Sequence, residues 1–167
     1  ARTSMKIRFF KFMWRRRYVL LSALALAICA VSAYFLFMKP GIPECRATVR
    51  VTNQLKDATL QRILLVSVVP EGAGQAIILL NGSLYSNGVR YNIDRALVVN
   101  YQRRGSYYNM QIRENRLNPQ DSVASETLSN LLPVVGQQLH LRVEQLDKHH
   151  YLFVNNYSPS FVCTSSR

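Results

Sequence analysis

The sequence predicts a mainly β fold with one short helix, an antiparallel meander curled into a barrel or half-barrel, preceded by one transmembrane helix. Three observations predict it. Residues Tyr18 to Met38 run apolar without a charge behind a block of basic residues. From Cys45 onward, apolar and polar residues alternate with a period of two. Short turn signals join the alternating runs, which favours neighbouring antiparallel strands.

Residues 1–17 form a basic tip. Ala1 to Ser4, ahead of Met5, read as a cloning scar or an upstream extension. Arg2, Lys6, Arg8, Lys11, Arg15, Arg16 and Arg17 face no acidic residue there. A helix over 18–38 reaches roughly 30 Å, about the thickness of a bilayer's hydrocarbon core. The positive-inside rule then keeps the N-terminus cytoplasmic and exports everything after Met38. A cleaved signal peptide is the alternative. Its apolar region is shorter, and here Tyr34 to Met38 continue apolar past the poor cleavage site Val31-Ser32-Ala33, which favours a retained anchor. A lipoprotein is rejected, because Ile28 stands before Cys29 where a small residue is needed. Trp14, Tyr18 and Tyr34 sit where aromatic rings favour the membrane interface.

Residues 39–44 form a short stiff linker, in which Pro40 and Pro43 stop the helix and start an extended segment. Residues 45–167 form the exported β-domain. Its first strand is Cys45 to Thr52, with Ala47, Val49 and Val51 on one side. Leu60 to Val69 and Gln75 to Tyr85 follow, and Ser86-Asn87-Gly88 is a hairpin signal. Arg90 to Gln102 places Tyr91, Ile93, Arg95, Leu97, Val99 and Tyr101 on one parity. Tyr107 to Glu114 returns with Tyr108, Met110 and Ile112 together, and Asn115 to Ser122 reads as loop. Ser125 caps one short helix that runs from Glu126 to Leu132 before Pro133. Gln138 to Leu146 and Tyr151 to Asn155 are the last pair of an expected set of about seven strands. A loop through Ser158-Pro159 leads to Phe161-Val162-Cys163.

The formal charge of +12 does not indicate nucleic-acid binding, because the basic tip supplies much of it and an exported domain meets no chromosome. The tip suits topology and anionic lipid. Cys45 and Cys163 are the only cysteines beyond the span. In an oxidising compartment an isolated pair reads as a disulfide, with two unpaired thiols as the alternative. No Walker loop, nucleophile elbow, paired Cys-x-x-Cys or zinc-binding helix motif occurs, so we expect neither an enzyme nor a cofactor or metal. His140, His149 and His150 are candidates for a pH response, since His titrates in the useful range. Tyr91, Tyr101, Tyr108, Tyr151 and Phe153 have two readings. They are core and cross-strand pairs, or they line a cavity or partner surface for a small amphipathic ligand, with tyrosine hydroxyls as polar handles.

A basic tip, one span, a small β-domain opening on Cys45 and a closing stretch Asn156-Tyr157-Ser158-Pro159-Ser160-Phe161-Val162-Cys163 resemble the FidL-like family of bacterial inner-membrane proteins. More distantly the chain looks like ToxS or VtrC, accessory halves of two-protein sensors. The resemblance implies a partner, a ToxR-like single-span regulator with a cytoplasmic winged-helix domain, bound as a heterodimer through the periplasmic domains. It implies a lipocalin-like barrel that in some members accommodates bile salts, and a structural role for the Cys45 and Cys163 pair. It implies regulation of transcription without DNA contact by this chain. The alternative is an envelope assembly factor or chaperone-like tether with no role in transcription.

Overall fold

A computed structural model describes residues 2–37, 41–123, 132–156 and 160–166. The chain divides into two compact units, Ala1–Pro40 and Gly41–Arg167.

The first unit is one helix, α1 (Arg2–Phe37). It starts well before Tyr18, so the basic tip is part of the helix rather than a segment ahead of it. Nothing in this stretch breaks a helix, since neither Gly nor Pro occurs before Pro40. One stretch of α1, Arg16–Phe35, is long and apolar enough to cross a bilayer, with a mean hydropathy of 2.1.

The second unit is a closed antiparallel barrel of eight strands in sequence order. The strands are β1 (Cys45–Leu55), β2 (Ala58–Pro70), β3 (Gln75–Ser86), β4 (Val89–Arg104), β5 (Tyr107–Leu117), β6 (Gln138–Gln145), β7 (His150–Asn155) and β8 (Phe161–Thr164). The first five are long and the last three short. Asn87 and Gly88 both take positive φ, 51° and 80°. That is what a two-residue turn matching strand twist requires, and the Asn-Gly pair supplies it between β3 and β4.

Three elements depart from the sequence pattern. β1 and β2 run on through Asn53, Gln54 and Thr59, so that only Lys56 and Asp57 turn the chain. Pairing with a neighbour extends polar residues that carry no strand pattern of their own. The terminal Phe161 to Thr164 is an eighth strand, too short to show a period, and it pairs with β7 from His150↔Thr164 to Phe153↔Phe161. The helix expected from Ser125 falls, apart from Leu132, outside the described residues, as do Met38 to Pro40 and Tyr157 to Pro159.

Inward positions alternate along every strand. Ala47 on β1, Val66 and Val68 on β2, Leu97 and Val99 on β4, Met110 and Ile112 on β5, and Phe153 on β7 form one buried core. Gly82 lies on the inward parity of β3 opposite Leu64. A Cβ at that position would collide with the Ile63 carbonyl, so glycine lets β2 and β3 approach closely.

Candidate functional site

The barrel interior holds packed side chains and one unfilled part. Among the packed side chains are Tyr101 and Tyr108, whose rings lie 5.6 Å apart. The Tyr101 hydroxyl accepts a hydrogen bond from the buried Ile42 N–H at 3.1 Å. The Arg103 guanidinium stands 5.5 Å over the Tyr108 ring. Burial pushes the Tyr108 hydroxyl's pKa up.

A second interior feature is an ion pair. Arg95 shares the inward parity of Ile93 and Leu97, and a guanidinium among apolar side chains needs a partner. Asp121 supplies it from the segment after β5, at 2.8 Å through both Nε and Nη2. The Asp94 and Val123 N–H groups also donate to that carboxylate. Burial, the largest single influence, works to raise the Asp121 pKa. The hydrogen bonds and charge of Arg95 and the two backbone donors outweigh it and hold the carboxyl below its usual range.

The unfilled part is a cavity of about 730 Å³, a size that suits a small ligand. Val49 and Val51 of β1, Leu64 and Val66 of β2, and Ile78 and Leu80 of β3 line one wall. Leu139 and Leu141 of β6 and Phe161 of β8 line the other. Asn53, Gln137 and Asn155 add polar groups. Among the described residues Arg62 is the one charged side chain in the lining, and burial lowers its pKa. An arginine nevertheless keeps its proton. The site is thus an apolar chamber with a positive charge in its lining.

The wall beside this chamber is thin. β1 meets β8 through a single ladder position, Arg46↔Thr164. Cys45 and Cys163 form a disulfide at the same seam, with Cα atoms 5.5 Å apart and a sequence separation of 118. Beyond Arg46, no strand among the described residues pairs along that edge of β1.

The residues singled out by sequence divide accordingly. Tyr101, Tyr108 and Phe153 are core, and Tyr151 and Tyr91 pack against it half-buried. None of the five lines the apolar chamber. Phe153 instead stacks on Phe161 with ring centroids 5.1 Å apart. The histidines do not converge. His140 on β6 donates from Nδ1 to Asn109 Oδ1 at 2.8 Å. His149 and His150 sit at the β6–β7 turn, where both backbone N–H groups donate to Asp147 Oδ1. The His149 N–H and the His150 ring hold the Asp147 carboxyl below its usual range.

Arg62, Asp121 and Asn155 escaped the sequence reading. The signal for Asp121 was present, since Arg95 at an apolar parity demands an acid and Asp121 lies in the segment after β5. Arg62 was hidden because Ile63 to Val69 is apolar on both parities except at Ser67, so parity along β2 carries little information.

Residues 82–163 match the family described as "FidL-like putative membrane protein". This stretch of the chain is FidL-like. The matched stretch begins within β3 and ends at Cys163, so it takes in β4 to β7, most of β8, the Arg95–Asp121 pair and one cysteine of the disulfide. A FidL-like membrane protein agrees with the apolar stretch Arg16–Phe35. No curated protein matches the chain.

Proposed function

We propose that this protein is an accessory subunit of the bacterial inner membrane, with a cytoplasmic N-terminus and a periplasmic barrel. It binds and stabilises a ToxR-like single-span transcription regulator, and the barrel holds a small amphipathic ligand that the pair senses. The observation that carries this reading is the bare edge of β1 alongside the apolar chamber. Unpaired N–H and C=O groups on such an edge favour addition of a strand from a partner. A strand added there would close the wall beside Val49 and Val51, so partner and ligand would stabilise each other. A ligand is the favoured signal over pH, because His140, His149 and His150 do not line the chamber. The chain works by binding in this reading and carries no catalytic centre.

The test is crosslinking in intact cells with a C-terminal tag, followed by identification of what copurifies from the membrane. Recovery of a single-span protein with a winged-helix domain, crosslinked through β1, supports the proposal. Recovery of envelope assembly components in its place would overturn it.

A further inference from the structure

The outer surface of the barrel carries a second concave site, with different chemistry from the interior. A cleft of about 570 Å³ opens over the region where β3 to β6 run side by side. Cross-strand register aligns its side chains in rows. Gln75 pairs with Asn100, Asn100 with Gln111, and Gln111 with Gln138, which makes one carboxamide row across four strands. Gln102, Asn109 and His140 form the next row. Tyr107 stands two residues before Asn109 on the same face of β5 and is 57% exposed.

Each carboxamide offers two donors and an acceptor in one plane. A ring of hydroxyls, each donating and accepting, is the natural complement. Among the described residues no acidic side chain lines the cleft, which argues against a cation as occupant. Two details indicate unused bonding capacity. Asn100 Oδ1 is buried and has no hydrogen-bond partner, which is costly unless a ligand donor reaches it. His140 engages Asn109 through Nδ1, which leaves Nε2 outside that hydrogen bond. A peptide strand is the poorer fit, because β4, β5 and β6 are each paired on both sides and offer side chains rather than a free backbone edge.

We propose that this outer face of β4, β5 and β6 binds a saccharide, with its hydroxyls held by the carboxamide rows and one ring face laid on Tyr107. Arg113 in the lining favours an acidic sugar over a neutral one. The site is independent of the interior chamber and of any partner on β1.

The test uses the full chain in lipid nanodiscs free of sugar-based detergent, titrated calorimetrically with chitotetraose and with an oligogalacturonate. Saturation-transfer NMR reports the bound ring. The proposal expects binding of one or both sugars, tighter for the acidic one. It expects at least tenfold weakening by Tyr107→Ala and by Gln111→Ala, with circular dichroism unchanged. Both substitutions lie on the outer face, and if either disturbs the fold, Gln111→Glu tests the same contact by charge repulsion of the acidic sugar. Failure of both sugars to bind overturns the proposal. So does binding that survives both alanine variants, or capture of an unstructured peptide with no sugar bound.

Discussion

Inside the barrel, the Arg95 guanidinium holds the Asp121 carboxylate in a two-pronged grip, with each contact at 2.8 Å and the two side chains 4% and 0% exposed. Asp121 also accepts from two backbone N–H groups, so it ties the segment after β5 to the edge of β4. Truncating one partner leaves the other charge buried and alone. Arg95→Leu is expected to lower unfolding free energy by about 3–5 kcal/mol, measured by urea denaturation. An effect below about 1 kcal/mol would mean that the pair is solvated in solution.

The same pair sets an acid limit. The Asp121 pKa is depressed in the folded state, so its stabilisation is fully present above the unfolded carboxylate value of about 3.9. It fades as pH falls through the lower folded value. Thermal melts between about pH 5 and pH 2 are expected to show a falling midpoint whose slope is shallower in Asp121→Asn. Equal slopes in both proteins would assign the acid limb to other carboxylates.

Cys45 and Cys163 supplement a seam with one ladder position. For a closed loop of this length the chain-entropy model gives a stabilisation on the order of 4–5 kcal/mol. Cys163→Ser is expected to lose most of that. It should also raise amide exchange first in β8 and the adjoining part of β7. Uniform loss of protection across all strands would show that the seam does not open separately.

Tyr101→Phe removes the acceptor for the Ile42 N–H while keeping the ring against Tyr108. A buried donor left without a partner costs about 1–3 kcal/mol. Gly41→Ala approaches the same hydroxyl from the other side, since its Cβ would stand 2.8 Å from that oxygen. Both variants are expected to lower the urea midpoint, and their double variant should lose less than the sum of the two.

Occupying the chamber should exclude ligands. Val51→Trp is expected to weaken binding of the anionic amphiphile anilinonaphthalene sulfonate at least tenfold while the thermal midpoint holds. Arg62→Met should weaken that probe and spare neutral Nile red. Equal loss of both dyes would deny Arg62 a role in charge recognition.

The meander, its turns and the disulfide were legible because each has a local signature. Asn87-Gly88 declares its turn, the β4 and β5 parities separate inside from outside, and two cysteines leave one pairing beyond the span. Barrel closure was not legible, since it depends on β8, whose four residues show no period. The β1–β2 hairpin was underestimated because Asn53, Gln54 and Thr59 are held by register rather than by propensity. The site was the least legible part. The aromatics allowed two readings, core or pocket; Tyr101, Tyr108 and Phe153 are core, while the chamber walls are mostly valines and leucines with Phe161 among them. Which aliphatic residues face a void depends on strand lengths and shear, which no single position encodes.

The separation of 118 residues between Cys45 and Cys163 also bears on biosynthesis. A chain made at about 5–20 residues per second exposes the first thiol on the order of ten seconds before its partner exists. In the proposed periplasmic topology, Cys45 stands through that interval as a lone thiol in an oxidising compartment, open to mixed disulfides with other proteins. The barrel therefore finishes late, and its yield would depend on thiol–disulfide exchange to release wrongly capped chains.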